Sequence, residues 1–218
     1  MLTISECSSV GSLVLKEKGS IIVGISINNS YFKEPNLEKI LSWSQCNASK
    51  VYIMIPDEPS IHTLIAIGYA HKKAENITRL KSNALENKCL KIIQGLNSSV
   101  FNVLRWKSIV GSLAYLESLC EMNNLYCTDV NFRKALRDTT AEVVSKYIQH
   151  APTEIEIDNA VVFLIKELSF ICNSNNILDS SNVAYLYQNT MNVLRDIVYG
   201  KYSFKTSVGF ITAIVKEP

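Results

Sequence analysis

The sequence is poor in the residues that build metal sites, disulfide frameworks and membrane spans. Its three histidines, His62, His71 and His150, are scattered, and its six cysteines include no C-x-x-C pair. That spacing indicates neither a zinc site nor a disulfide framework, and reduced thiols fit a cytoplasmic protein. No segment reaches the roughly 18 consecutive apolar residues of a transmembrane helix, and no basic region precedes an apolar run at the amino terminus. We therefore expect neither a membrane span nor a signal peptide.

Glycine-rich phosphate-binding motifs are also missing. The sequence contains no G-x-G-x-x-G and no P-loop lysine, and G-I-S-I-N at 24–28 lacks the second glycine of a nucleophile elbow. The formal net charge is a mild +2, which says little about partners. With 218 residues, 47% of them hydrophobic, the chain is long enough for one domain over 1–218 with a sizeable core.

Short apolar segments alternate with amphipathic ones along most of the chain. The pattern predicts strands at 13–17, 20–25, 50–55, 98–101, 183–187 and 208–215. It predicts helices at 36–46, 60–74, 78–94, 105–126, 130–148, 157–170 and 191–199, with a boundary at 150–153 and a loop at 173–178. Alternation of strands and helices is typical of βαβ units, so we predict one α/β layer domain with a parallel sheet.

The strand at 20–25 ends in an unusual cluster of small and polar residues. Gly24 is followed by a lone serine, Ser26, and by Asn28 and Asn29. Ligands of open α/β sheets bind past the carboxyl ends of strands, and a glycine lets them come close. Ser26 is therefore a candidate nucleophile, although a polar turn that caps the next helix is an alternative. Since no histidine base is signalled nearby, such a serine would need an activated donor, for example an ester.

Three later features could take part in the same chemistry. Glu167 lies in the apolar helix V-V-F-L-I-K-E-L-S-F, where a buried carboxylate needs a partner such as a substrate ammonium. Tyr185 and Tyr187 share one face of a predicted strand, where a phenol can donate to a substrate or relay a proton. The alternatives are a solvent-facing glutamate and ordinary aromatic packing.

The segment 69–93 is strongly basic, with six lysines and arginines against two glutamates. On a helix, Lys81, Lys88 and Lys91 fall within an arc of about 80°. Such a face can follow phosphates, although an ordinary solvated helix face is the alternative.

Taken together, these segments resemble the cyclodipeptide synthases. The matching pieces cover nearly the whole chain and include G-I-S-I-N-N-S-Y-F at 24–32, V-Y-I-M-I-P-D at 51–57, the basic helix, D-V-N-F-R at 129–133, F-L-I-K-E-L at 163–168, V-A-Y-L-Y-Q at 183–188 and the terminal G-F-I-T-A-I-V. The resemblance implies a single Rossmann-like α/β domain, similar to the catalytic domain of class I aminoacyl-tRNA synthetases. It also implies a mostly parallel sheet flanked by helices.

The resemblance further implies a reaction without ATP, cofactor or metal, because the amino acids arrive as activated esters. Two aminoacyl-tRNAs would be joined into a 2,5-diketopiperazine through an aminoacyl-Ser26 and then a dipeptidyl-Ser26 enzyme. The two aminoacyl-tRNAs are the expected partners, with no DNA and no membrane. A cytoplasmic monomer is expected, since nothing in the sequence demands a dimer.

By position, the resemblance assigns roles to further residues. Glu167 would hold the aminoacyl ammonium and Tyr187 would orient the aminoacyl group, with Asn29 and Tyr115 also in the catalytic centre. Lys81, Lys88 and Lys91 would lie on the helix that binds tRNA. The pocket for the first amino acid would be lined by Ile22, Gly24, Met54, Trp106, Phe170 and Tyr185. Unless a polar contact intervenes, that apolar lining favours an apolar or aromatic amino acid.

Two substrate-pocket positions depart from the family's pattern. Phe163 stands where a tyrosine is usual, so a hydroxyl that helps to bind the substrate amine is absent. Gln188 stands where histidine or proline is usual. These departures concern activity and product more than the fold. Two alternatives to a cyclodipeptide synthase also stay open, an inactive relative that only binds tRNA and a serine acyltransferase that uses another activated donor.

Overall fold

Residues 2–215, which the computed structural model describes, form a six-stranded sheet flanked by helices on both faces. The strands are β1 (Leu2–Cys7), β2 (Ser20–Gly24), β3 (Lys50–Ile55), β4 (Phe101–Arg105), β5 (Val183–Tyr187) and β6 (Gly209–Val215). The helices are α1 (Ser9–Glu17), α2 (Glu34–Asn47), α3 (Ser60–Ala66), α4 (His71–Gln94), α5 (Leu113–Thr128), α6 (Val130–Ser145), α7 (Glu154–Cys172), α8 (Ser174–Ile177) and α9 (Asn192–Val198). Across this range, every helix is too short or too polar to cross a bilayer.

The sheet is parallel except at one edge. Its order is β1-β6-β5-β2-β3-β4, with β1 antiparallel to β6 and the other neighbours parallel. Every residue of the central strand β2 is buried, as expected of a strand that is covered on both faces. The carboxyl ends of β2, β3 and β5 therefore meet at one edge of the sheet, where the chain leaves each strand for a loop.

Side-chain alternation along the strands creates two large cores, one on each face of the sheet. Ile22 and Tyr185, which pair across β2 and β5, face helices α5, α6, α7 and α9. Ile21 and Val23 point the other way, into a core that includes residues of α2 and α4. The strand pairing is mostly parallel and helices cover both faces of the sheet, so the predicted α/β architecture is confirmed.

Most predicted elements are present, with shifted bounds. The strands at 50–55 and 183–187 and the helices at 36–46, 130–148 and 157–170 are confirmed to within a few residues. Helix α7 begins where the boundary at 150–153 was predicted, because Thr153 and Glu156 form a capping box. The predicted helix 60–74 is interrupted, since Gly68 adopts a φ of 94° and separates α3 from α4.

Four predictions of secondary structure were wrong. Residues 13–17 are helical, because the side chain of Ser8 caps α1 by accepting from the backbone N–H of Gly11. Residues 98–100 form a 3₁₀ turn, and the strand runs from Phe101 to Arg105 instead. The helix predicted from 105 begins only at Leu113, after a second 3₁₀ turn. The predicted loop 173–178 contains the short helix α8.

Gly11 allows α1 to pack directly on the backbone of β6. A Cβ at Gly11 would lie 2.4 Å from the carbonyl oxygen of Phe210. We therefore expect Gly11→Ala to lower the free energy of unfolding by about 1–3 kcal/mol, since backbone must shift to admit the methyl group. Urea unfolding measures the effect. Gly111→Ala is the matched control, because no atom lies within 4 Å of its added Cβ; equal losses in both variants would contradict the packing argument.

Candidate active site

Ser26 lies two residues beyond the end of β2, in a loop that is fixed on both sides. The backbone N–H of Ile25 donates to Met54 O at 3.3 Å and continues the β2–β3 ladder past Gly24. The backbone N–H of Asn29 donates to Ser26 O at 3.3 Å, and Asn29 Oδ1 caps the following 3₁₀ turn by accepting from Tyr31 N at 2.9 Å. Ser26 is therefore held at the edge of the sheet where the parallel strands end.

A cavity of about 400 Å³ opens beside this loop. It is enclosed by the β2 loop, α3, α6, α7 and the segment that follows β5. Among the residues that line it are seven of the predicted site residues, namely Ser26, Asn29, Phe163, Glu167, Tyr185, Tyr187 and Gln188. Its volume falls in the range of typical small-molecule sites.

Glu167 brings an uncompensated carboxyl group to the cavity wall. Burial raises its pKa to about 7, and a hydrogen bond donated by Tyr185 Oη at 3.4 Å opposes the rise. Within residues 2–215, none of the ion pairs includes Glu167. A desolvated carboxylate without a cation is suited to bind one, such as an ammonium group.

Tyr185 and Tyr187 stack beside Glu167, with ring centroids 6.0 Å apart and planes inclined by 19°. Burial raises the pKa of Tyr187 to about 12, and the nearby carboxylate of Glu167 adds to the rise, while Asn29 and Gln188 oppose it. Burial also raises the pKa of Tyr185 well above its ordinary value. Both phenols are therefore neutral near pH 7 and able to donate hydrogen bonds.

The other residues assigned to the first amino-acid pocket lie in the core. Ile22, Met54, Trp106 and Phe170 are each at most 2% exposed and belong to one packed cluster. Tyr115 is in the same cluster, edge-on to Trp106 with ring centroids 5.7 Å apart. These five residues, and Gly24, are not part of the cavity lining.

Sequence reasoning missed one wall of the cavity. Helix α6 and the residues after it supply Thr139, Thr140, Glu142, Val143, Lys146 and Tyr147. Their recurrence at helical spacing is the only local signal, and it equally fits a face packed in the core. Ser60 and Thr63 on α3 line another part of the cavity.

The predicted basic helix adjoins the Ser26 loop. On α4, Lys81 Nζ donates to Asn28 Oδ1 at 2.8 Å, two residues from Ser26. Lys91 is exposed and pairs with Glu34 at 3.1 Å, while Lys88 is half-buried. Arg105 fixes α4 to the sheet through Glu86 at 2.6 Å and Asp57 at 2.8 Å. The Lys81 end of this lysine face therefore adjoins the cavity, because Asn28 also lines it.

The described residues contain no group of side chains with the composition of a metal site. Within residues 2–215, no three His, Cys, Asp or Glu side chains lie close enough together to hold a metal ion.

A mostly parallel sheet with a serine just past the end of its central strand places the chain among Rossmann-like α/β proteins. Residues 3–217 match the family described as cyclodipeptide synthase, and the chain belongs to that family.

Known members of the family are similar over most of their length. A cyclo(L-leucyl-L-leucyl) synthase of Staphylococcus haemolyticus is 22% identical over 198 residues, which are 88% of this chain and 85% of the relative. A crystal structure of a cyclodipeptide synthase from Bacillus thermoamylovorans superposes with a TM-score of 0.91 at 19% identity, over 100% of this chain and 96% of the other. A Mycobacterium tuberculosis structure, which relates cyclodipeptide synthetases to type I tRNA synthetases, has a TM-score of 0.84 at 16% identity and covers 96% and 91% of the two chains. At these identities, the structural likeness establishes the fold.

Proposed function

We propose that residues 1–218 form one catalytic domain that converts two aminoacyl-tRNAs into a 2,5-diketopiperazine through covalent intermediates on Ser26. The observation that carries the proposal is that Ser26, Glu167 and Tyr187 line one cavity in which Glu167 has no cationic partner among the described residues. A hydroxyl, a carboxylate and a phenol are the groups needed to accept an acyl group and hold its amine.

In the first step, Ser26 Oγ attacks the ester carbonyl of an aminoacyl-tRNA. The bond to the ribose oxygen breaks, and the proton of Ser26 ends on the ribose hydroxyl that leaves. One ester replaces another, so the step is close to thermoneutral and depends mainly on positioning. Glu167 would hold the substrate ammonium, and Tyr187 would orient the acyl group by donating from its hydroxyl.

In the second step, the amine of the aminoacyl-Ser26 attacks the ester carbonyl of a second aminoacyl-tRNA. A peptide bond forms, the bond to the ribose oxygen breaks, and the amine's proton ends on the ribose hydroxyl that leaves. The new terminal amine then attacks the Ser26 ester, closes the six-membered ring and returns the hydroxyl to Ser26. Each attack needs an amine that has lost a proton. A carboxyl group with a pKa of about 7 is matched to accept that proton near neutral pH.

Product analysis tests the proposal. Expression in a bacterial host should yield cyclic dipeptides in the medium with the wild-type chain and none with Ser26→Ala, as detected by mass spectrometry. Because the Staphylococcus relative is named for a leucyl product, cyclo(Leu-Leu) is included as a standard. Binding of charged tRNA without any acylation of Ser26 would favour a tRNA-binding relative. Acylation by a donor that carries no tRNA would favour another serine acyltransferase.

The tRNA is expected to bind along the lysines of α4. Replacing Lys81, Lys88 and Lys91 together with alanine should reduce the slope of log affinity against log salt by about 2, since each phosphate contact contributes about 0.7–0.9. Filter binding of aminoacyl-tRNA over a salt series measures it. The matched control is Lys16→Ala. Lys16 is an exposed lysine in the last turn of α1, which leads into the amino end of β2, whereas Ser26 follows the carboxyl end. An unchanged slope in the triple variant would remove α4 from the proposed tRNA interface.

The proposed reaction also indicates the cellular compartment in which the protein acts. Charged tRNAs are present in the cytoplasm, so we propose that the chain acts there. All the groups that the reaction uses come from a single chain, and a monomer is sufficient for it.

A further inference from the structure

The α6 wall of the cavity carries three groups that have no role in the chemistry at Ser26. Thr140 lies on α6 itself, and Lys146 and Tyr147 directly follow its last residue. All three line the cavity that also contains Ser26 and Glu167. A cation, an aromatic ring and a hydroxyl are the groups with which proteins bind the phosphate, base and ribose of a nucleotide.

Tyr147 presents an aromatic ring to the cavity. It is 45% exposed, and its backbone N–H donates to Val144 O at 2.9 Å, which fixes its position just beyond α6. The pKa of Tyr187 is raised by burial, by the carboxylate of Glu167 and more weakly by Tyr147, so the Tyr147 hydroxyl lies near this phenol. An exposed ring at such a place can stack on a nucleobase.

Thr140 brings an unpaired hydroxyl to the same wall. It is 4% exposed, and its hydroxyl has no hydrogen-bond partner among residues 2–215. The neighbouring Thr139 differs, because its hydroxyl donates to Ala135 O at 2.8 Å. An unpaired buried hydroxyl is costly, so a ligand that supplies its partner gains affinity from it.

Lys146 is the cation of this wall. Its Nζ lies 3.2 Å from Glu142 Oε1, but both side chains are more than half exposed. Such a pair is weak, and a phosphate can replace the carboxylate as the partner of Lys146. A second lysine, Lys81, reaches the cavity through Asn28 from α4, which lies on the other face of the sheet. Lysines therefore flank the cavity from both faces.

The position of the α6 wall favours the second substrate of the reaction. The first aminoacyl-tRNA is expected along α4, so its end reaches Ser26 from the Lys81 side. The second ester must lie where the amine held by Glu167 can attack it, and α7, which carries Glu167, packs against α6.

Resting on the proposed function, we propose that the α6 wall binds the terminal nucleotide of the second aminoacyl-tRNA while Ser26 is loaded. Lys146 pairs with the phosphate of this nucleotide, and the ring of Tyr147 stacks on its base. Thr140, which is the most buried of the three, bonds to the ribose that carries the ester.

A two-step assay separates loading of Ser26 from transfer to the second substrate. Each variant is loaded with one labelled amino acid, freed of tRNA by gel filtration and mixed with a second aminoacyl-tRNA over a concentration series. Tyr147→Ala should raise the half-saturating concentration of transfer about tenfold, because the stacked base is lost. Tyr147→Phe keeps the ring and should stay within about twofold of the wild type. Both variants should load Ser26 at nearly the wild-type rate.

Two further pairs of variants test the cation and the hydroxyl in the transfer step. Lys146→Ala should lower the slope of log half-saturating concentration against log salt by about 0.7–0.9, the effect of one phosphate contact. Lys134→Ala is its control, because Lys134 also pairs with a carboxylate four residues away but does not line the cavity. Thr140→Val should raise the half-saturating concentration roughly threefold through the loss of one hydrogen bond, and Thr139→Val should not.

The outcomes separate the two proposals. Equal losses of loading and transfer in Tyr147→Ala would overturn the assignment of the α6 wall to the second substrate. Wild-type half-saturation in both Tyr147→Ala and Lys146→Ala would overturn it as well. A wild-type chain that forms no acyl-enzyme with any charged tRNA, or an adduct that survives Ser26→Ala, would instead overturn the proposed function.

Discussion

Ser26→Ala is expected to eliminate the acyl-enzyme and to reduce diketopiperazine formation by roughly 10³-fold or more, the scale on which enzymes lose activity with their nucleophile. The reason is that, in the proposed mechanism, both covalent intermediates are esters of this hydroxyl, and alanine has no atom to replace it. Single-turnover assays with an aminoacyl-tRNA labelled in the amino acid measure both quantities, as protein-bound label and as released cyclic product.

Ser30→Ala is the control for this experiment. Ser30 follows Asn29 in the same loop, is exposed and is not part of the cavity lining. It should load at nearly the wild-type rate, and both variants should unfold at the wild-type temperature because neither removes a buried contact. Label on the protein after Ser26→Ala, at the wild-type level, would mean that another residue is the nucleophile.

The strands that surround Ser26 could be predicted because their burial is encoded locally. Ile21-Ile22-Val23 and the run from Val51 to Ile55 are apolar on both faces, and such runs are typical of central parallel strands. Helix α1 could not be predicted in the same way. Leu13-Val14-Leu15 reads equally as a strand, and the helix depends on the Ser8 cap and on the contact of Gly11 with Phe210, 199 residues away.

In the candidate site, too, some residues could be recognised from local sequence and others only from the tertiary structure. Ser26 and Tyr187 follow or end strands, and Glu167 is conspicuous as an acidic residue in an apolar helix, so local sequence was enough to single them out. Tyr185 was singled out as well, but its contacts with Glu167 and Gly24 could not be predicted, because they depend on the β2–β5 register, on the missing side chain of Gly24 and on the distance to α7. The same holds for the α6 wall, whose polar residues look like any half-buried helix face until the tertiary structure brings them to the cavity.

Glu167→Gln is expected to slow loading of Ser26 by roughly 10²- to 10³-fold, because removing one charge of a buried pair costs about 2–5 kcal/mol. Glutamine keeps the size of the side chain but cannot balance an ammonium group or accept its proton. Glu154→Gln, in the exposed first turn of the same helix, is the control and should stay within about twofold of the wild type.

The pH profile makes this prediction specific to the charge of Glu167. Its pKa is about 7 in the free protein, so the carboxyl group is mostly protonated below pH 7 and mostly ionised above it. The wild-type rate constant for loading at low substrate should therefore rise with pH through about 7, and the Glu167→Gln profile should lack that rise. Tyr185→Phe removes the hydrogen bond that lowers the pKa of Glu167, so its rise should move to higher pH. Each variant's rate constant is divided by that of Glu154→Gln at the same pH, which cancels the titration of the substrate amine. If this ratio for Glu167→Gln does not change with pH, Glu167 acts without ionising.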